Sequence, residues 1–188
     1  EQDRRFSEPL SFDMTSNESS LNALWAGLIV DELVRSGVRR FSLASGSRSS
    51  PLAVAIARHP SATASMHVDE RGAAFYALGL ARATGTPATV VTTSGTAAAN
   101  LLPAAVEASM DFVPLILLTA DRPPELRDAH ANQAIRQPGL FGRYVRWDAD
   151  LPCPDESIPP AYVLTTVDQA VHQATVAPGP VHINAMFR

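Results

Sequence analysis

The sequence predicts an α/β domain: a doubly wound, mostly parallel sheet with helices on both faces. Three observations carry that prediction. Short apolar runs alternate with helical patterns at roughly 25-residue intervals, the rhythm of repeated strand–helix units. Two of the runs, "ATVVTT" and "VPLILLTA", are continuously apolar, as strands covered on both faces need to be. Gly/Ser/Thr turns, in "SGSRSS" and "TTSGT", join strand ends to helix starts.

The elements follow in order. Leu21, Leu24, Trp25, Leu28 and Leu33 recur at helical spacing up to Arg35, with Ser19 or Ser20 available as a cap and Gly37 as the stop. "RRFSLA" reads as a short strand, and "SGSRSSP" as a turn into the helix "PLAVAIARH", with Pro51 near its first position. "TASMHV" is the next strand, followed by a helix from Glu70 to about Ala83. After "ATVVTT", the stretch "SGTAAANLLPAAVEASM" reads as a turn and one helix, and "VPLILLTA" as a strand. Beyond Ala120 the regularity breaks. "DRPPELRDAHANQAIRQPGLFGRY" is polar, rich in arginine and punctuated by prolines, which predicts a long excursion over one edge of the sheet. "VRWDADLP" reads as a further strand, "PCPDESIPP" as a linker-like loop, residues 165–177 as a last helix and "GPVHINAMF" as a last strand. The first thirteen residues precede Met14 and read as a tag or upstream extension, outside the fold.

Composition narrows the function. A chain of 188 residues with 46% hydrophobic content can build one domain with a real core. A net charge of −4 without a basic run argues against nucleic acid as a partner. All 15 basic residues are arginine. The absence of lysine excludes Schiff-base and pyridoxal chemistry and a Walker-type phosphate loop. One cysteine, Cys153, can form neither an internal disulfide nor a thiolate cluster, so the chain reads as cytoplasmic. No apolar stretch is long enough to cross a bilayer, and the N-terminus lacks a signal-peptide pattern.

In a doubly wound fold, ligands gather at the carboxyl ends of the strands. Four segments converge there: "SGSRSS" at 45–50, "DERG" at 69–72, "TTSGT" at 92–96 and "ADRPPEL" at 120–126. Gly-containing turns that open helices expose N–H groups to anions, although such turns are also ordinary joints. Arg48 and Arg122 would set two guanidinium groups over the same edge, suited to carboxylates. The plain alternative for Arg122 is a surface ion pair with Asp121 or Glu125. For the acidic pair, Asp69 can cap the helix and Glu70 can sit in its first turn. His67 and Asp69 alternate along the strand, but no third ligand follows at metal-binding spacing, so a structural histidine is expected.

"DERGAAFYALGLARATG" and "VVTTSGTAAANLLPAAVEA" closely resemble the pyrimidine-binding (Pyr) domain of thiamine-diphosphate enzymes. Within that group, "GSRSSPL", "LLTADRPPEL" and "ANQAIRQPG" resemble the SEPHCHC synthase family of the menaquinone pathway. The resemblance covers about residues 20–188 and assigns residues 14–188 to a Pyr domain. One position departs: Ser45 stands where that family usually has proline.

The resemblance implies roles. Glu70 would be the cofactor-activating glutamate, bonded to the aminopyrimidine of thiamine diphosphate and shielded from water so that one hydrogen bond shifts a ring tautomer. Thr93, Ser94 and Gly95 would lie near the pyrimidine. Ser47, Arg48, Arg122, Asn132 and Gln133 would hold the substrates, 2-oxoglutarate and isochorismate: the arginines on carboxylates, the amides on hydroxyl or enolpyruvyl oxygens. The reaction implied is loss of carbon dioxide from 2-oxoglutarate and conjugate addition of the remaining succinyl unit to isochorismate. The family also carries a central domain and a diphosphate-binding domain, whose GDG…N motif holds Mg2+ or Mn2+; neither is matched here. The chain is therefore expected to be the N-terminal domain of a larger enzyme, inactive alone. A second subunit, in a homodimer or homotetramer, is expected to complete the site against the small residues Gly72, Ala73, Ala74 and Ala77. The competing reading is a non-catalytic anion-binding or dimerisation module of the same fold.

Overall fold

A computed structural model describes residues 17–188, so the extension read at residues 1–13 lies outside the described residues. Six strands, β1 (Arg40–Ala44), β2 (Thr63–Met66), β3 (Ala88–Thr92), β4 (Leu115–Asp121), β5 (Asp148–Leu151) and β6 (Pro180–Met186), form one sheet. Their order is β2-β1-β3-β4-β6-β5, and every neighbouring pair is parallel. The helices are α1 (Asn17–Arg35), α2 (Ser50–Arg58), α3 (Glu70–Thr84), α4 (Thr96–Ala99), α5 (Leu102–Met110) and α6 (Pro160–Val176). The doubly wound α/β expectation holds.

Side chains that alternate along each strand divide the interior into two cores. Ile116, Leu118 and Ala120 of β4 join Ile29, Leu33, Leu52, Ile56, Val167 and Val171 beneath α1, α2 and α6. Leu115 and Leu117 join Ala73, Ala77, Ala81, Ala104 and Ala108 beneath α3 and α5. Each fully buried Leu or Ile of β4 contributes roughly 1.5–3 kcal/mol, which makes the centre of the sheet its firmest part. The second core is built mostly of alanine, so α3 and α5 lie close to the strands. Ala73, Ala74 and Ala77, expected to face a second subunit, are fully buried in this core instead, because they form the side of α3 that packs on the sheet. Ser42 of β1, fully buried, donates from Oγ to the Ala73 carbonyl at 2.8 Å. That bond pins the head of α3, and with it Glu70, over β1.

Three boundaries differ from expectation. The helix α1 already runs from Asn17, so Ser19 and Ser20 lie inside it rather than at its cap. The Ala-rich stretch after β3 is two helices, because Pro103 in the first turn of α5 has no N–H to continue the α4 ladder. The last helix begins at Pro160, five residues before the predicted start: a first-turn proline lacks only an N–H that would be unpaired anyway.

Candidate functional site

All six strands point their carboxyl ends to one edge, and β1 and β3 flank the place where the strand order reverses. The two strand-end turns meet closely there. A Cβ on Gly46 would lie 2.6 Å from Thr93 Cγ2, so only glycine lets the turn after β1 approach the end of β3. That turn holds with Ser45 in place of the proline, since Ser49 Oγ accepts from the Gly46 N–H and donates to the Gly46 carbonyl, both at 3.0 Å. Gly95 has φ +85°, a left-handed conformation that opens α4. Thr93, Ser94 and Gly95 are buried, and the Thr92 and Thr93 hydroxyls are buried without a hydrogen-bond partner.

The two acids part company. Asp69 is the cap of α3: its side chain accepts from the Arg71 N–H at 2.9 Å, and hydrogen bonds from the Arg71 side chain and backbone hold its pKa down at about 2. Glu70 is the first helical residue, half-buried, and its Oε2 accepts from Asn100 Nδ2 at 3.0 Å. Asn100 closes the short helix that Gly95 opens, so this bond ties the acid to the turn after β3. The expected shielding of Glu70 from water is only partial within this chain. His67 Nε2 lies 3.2 Å from Ser65 Oγ and its ring packs on Tyr76 at 4.8 Å, as a structural histidine does.

Arg122 makes neither expected ion pair. Its Nη1 donates to Ser94 Oγ at 2.9 Å, and Nε and Nη2 donate to the Asn132 carbonyl at 3.1 and 2.8 Å. Asp121 pairs instead with Arg127, and Glu125 with Arg188. Arg48 Nη1 donates to the Phe187 carbonyl at 2.9 Å, while its Nε is buried without a partner. Burial first, and then the neighbouring Arg122 charge, lower the Arg48 pKa from its ordinary value. Both guanidinium groups thus rest on neutral oxygens and retain charge for an anion. Ser47 and Arg48 also line a cleft of about 850 Å³ between α1 and α2. Asn132 and Gln133 are exposed; Asn132 meets Arg122 through its main chain, and the Gln133 backbone packs on Gly95.

Sequence reading missed what lies beneath this edge. Gln137 accepts from the Gly95 N–H at 2.8 Å, and its Nε2 donates to Asn184 Oδ1 at 2.8 Å. Asn184 Nδ2 donates to Asp121 Oδ2 at 2.9 Å and to Asp150 Oδ1 at 2.8 Å, and Arg127 bridges the same two carboxylates. The signal was His182 and Asn184 at alternate positions of "VHINAM", a polar stripe inside a buried strand.

His182 is 1% exposed; its Nε2 lies 2.8 Å from Thr119 Oγ1 and its ring meets Phe141 edge-on. Burial pushes its pKa from 6.5 down to about 4, against the opposing Asp150 charge. The unfolded chain therefore takes up this proton first as pH falls. The stability contributed by the neutral ring is complete above pH 6.5 and drains away towards pH 4, by roughly 3 kcal/mol in all. Thermal melts between about pH 7.5 and 4 should show that decline, and His182→Gln should flatten it.

Residues 25–140 match the family described as "Thiamine pyrophosphate enzyme, N-terminal TPP binding domain". Relatives that carry the name 2-succinyl-5-enolpyruvyl-6-hydroxy-3-cyclohexene-1-carboxylate synthase include three from different bacteria. The one from Salinibacter ruber is 67% identical over 88% of this chain, that from Rubrobacter xylanophilus 62% over 89%, and that from Aeromonas salmonicida 53% over 92%. The chain spans 28%, 29% and 30% of their respective lengths. A close backbone turn at the strand switch and a glutamate at the head of α3 accord with the family match: the chain belongs to the thiamine pyrophosphate enzymes, as an N-terminal TPP binding domain.

Proposed function

We propose that this chain supplies the pyrimidine side of the active site of a SEPHCHC synthase. That enzyme moves a succinyl unit from 2-oxoglutarate to isochorismate with loss of carbon dioxide. One observation carries the reading: Glu70, held by Asn100, shares a strand-end edge with the Thr93–Gly95 turn and with two arginines that have no carboxylate partner among the described residues. The residues fit thiamine diphosphate. Glu70 would offer a carboxyl oxygen to a ring nitrogen of the bound cofactor, and the unpaired Thr92 and Thr93 hydroxyls lie beside the close approach that Gly46 permits. When bound, thiamine diphosphate supplies a nucleophilic thiazolium carbon that can take the electron pair released with carbon dioxide.

The chain's own groups divide the remaining work. Glu70 holds a proton on the aminopyrimidine and so sets its tautomer. Arg48 and Arg122 hold substrate carboxylates, where charge-assisted bonds are strongest. Ser47, Asn132 and Gln133 take hydroxyl and enolpyruvyl oxygens. The diphosphate and its Mg2+ or Mn2+ belong to a separate domain of the enzyme. A second subunit completes the site in a homodimer or homotetramer; Phe75 and Tyr76 on the outer side of α3, each 45% exposed, support that arrangement. A cytoplasmic location accompanies this reading; among the described residues no helix is long and apolar enough to cross a membrane.

Calorimetry with thiamine diphosphate and magnesium should show weak or no binding to the 188-residue chain, because the charged end of the cofactor lacks its cation. The full-length polypeptide should bind it and release carbon dioxide from 2-oxoglutarate in step with isochorismate consumption. Micromolar binding to the short chain would refute the divided site. A full-length protein that forms no SEPHCHC would refute the synthase.

A further inference from the structure

The segment between Asp121 and Asp148 carries Arg122, Asn132 and Gln133, and three ties hold it against the turn after β3. Arg122 Nη1 donates to Ser94 Oγ, the Gln133 main chain lies where a Cβ on Gly95 would stand 3.1–3.2 Å from it, and Gln137 Oε1 accepts the Gly95 N–H. Gln137 differs from the exposed amides before it in being fully buried. Its partners fix the direction of its amide. The oxygen faces a backbone N–H, while the nitrogen faces three oxygens, Asn184 Oδ1 at 2.8 Å, the Ala120 carbonyl at 3.1 Å and Thr119 Oγ1 at 3.4 Å. A flipped amide would set donor against donor and oxygen against oxygen.

We propose that Gln137 is a positioning residue for the substrate loop. By clasping the turn after β3, the end of β4 and Asn184 of β6 at once, it sets how residues 122–137 sit over Gly95, and so where Arg122, Asn132 and Gln133 meet an anionic substrate. What the loop holds rests on the synthase reading; the clasp itself does not.

Two variants test it. In Q137E the carboxylate keeps an acceptor for the Gly95 N–H but turns its other oxygen on the Asn184 and Ala120 oxygens. Q137M fills similar space but leaves the Gly95 N–H without its acceptor and removes the donor to the Ala120 carbonyl, while Asn184 Oδ1 keeps the bond from Thr119 Oγ1 at 2.8 Å. By hydrogen exchange, Q137E near neutral pH should lower the protection of residues 128–137 by about tenfold to a hundredfold, with α1 and β4 unchanged. The Gly95 amide should stay protected in Q137E and lose protection in Q137M. At lower pH the protonated carboxyl regains one donor, so Q137E should recover loop protection and Q137M should not. In the full-length enzyme, KM for isochorismate should rise about tenfold or more in both variants, with kcat falling less. In Q137E, which keeps an acceptor for the Gly95 N–H, C2–H exchange of bound thiamine diphosphate should stay near wild type.

Unchanged loop protection in both variants would overturn the clasp. So would protection lost equally from α1 and β4, which marks a general core residue, or a loosened loop with unchanged KM. A wild-type enzyme that makes no SEPHCHC would remove the synthase reading, while the exchange data would still decide the clasp.

Discussion

Replacing Glu70 with glutamine in the full-length polypeptide should slow C2–H exchange of bound thiamine diphosphate by roughly 10²–10⁴-fold, the range of a lost acid–base group. Fold stability should hardly move. The structure separates two jobs that an Asp-Glu pair at a helix head can share. Capping falls to Asp69, which accepts the Arg71 N–H. The Glu70 carboxylate turns to Asn100, and glutamine keeps an oxygen to accept the same Nδ2–H. What glutamine lacks is an ionisable carboxyl that can pass a proton to and from a ring nitrogen. If Glu70 served only the helix dipole, the substitution would cost about 0.3–1 kcal/mol and leave exchange untouched. NMR of quenched exchange samples, beside a thermal melt of the same variant, separates the two cases. A wild-type exchange rate would remove the role assigned to Glu70.

What could be read ahead of the structure followed the reach of each interaction. The β3 and β4 runs were legible because a strand covered on both faces is mostly apolar along its length rather than at alternate positions, and both are buried throughout. The start of α3 at Glu70 was legible because cap and first turn are local. The break between α4 and α5 was not: an alanine-rich run favours helix, and Pro103 marks a new first turn only once the chain is seen to bend. At the site, motif spacing placed the strand-end segments on one edge, as the parallel order requires. It did not show that Asn100 holds Glu70, nor that Gln137 joins Gly95, because those bonds link residues 30 and 42 apart in sequence through side chains alone or a side chain and one amide. The ion pair offered for Arg122 failed for a related reason. Sequence neighbours on a strand end point apart, so Asp121 turns inward to Arg127 and leaves Arg122 on the edge.

Arg127→Ala should destabilise the fold by about 3 kcal/mol at neutral pH. Asp121 is 1% exposed, and Arg127 is the cation that meets both it and Asp150: Nη2 bonds Asp121 and Asp150 at 2.8 Å each, and Nη1 bonds Asp150 at 2.7 Å. Hydrogen bonding to Asp150 leads the causes that raise the Arg127 pKa. Burial alone would raise the Asp150 pKa, yet the bonds from Arg127 and Asn184 hold it below the usual carboxylate range. Removing the guanidinium leaves two carboxylates sharing the Asn184 amide, one of them in the interior. Loss of one partner of a buried pair costs about 3–5 kcal/mol, and the partial exposure of Arg127 and Asp150 sets the expectation at the low end. The pH dependence should reverse in sign. In the wild type, Asp150 adds stability above its unfolded pKa of 3.8 and loses it as pH falls through the lower folded value. In the variant, crowding raises the folded pKa of one carboxyl, so the deficit should shrink as pH falls from about 7 to 5. Urea unfolding at both pH values measures this, with Arg127→Met as the control that keeps the apolar stem. A deficit under about 1 kcal/mol at pH 7 would make the pair no more than a surface contact, and a deficit that grew on acidification would place the unpaired charge elsewhere.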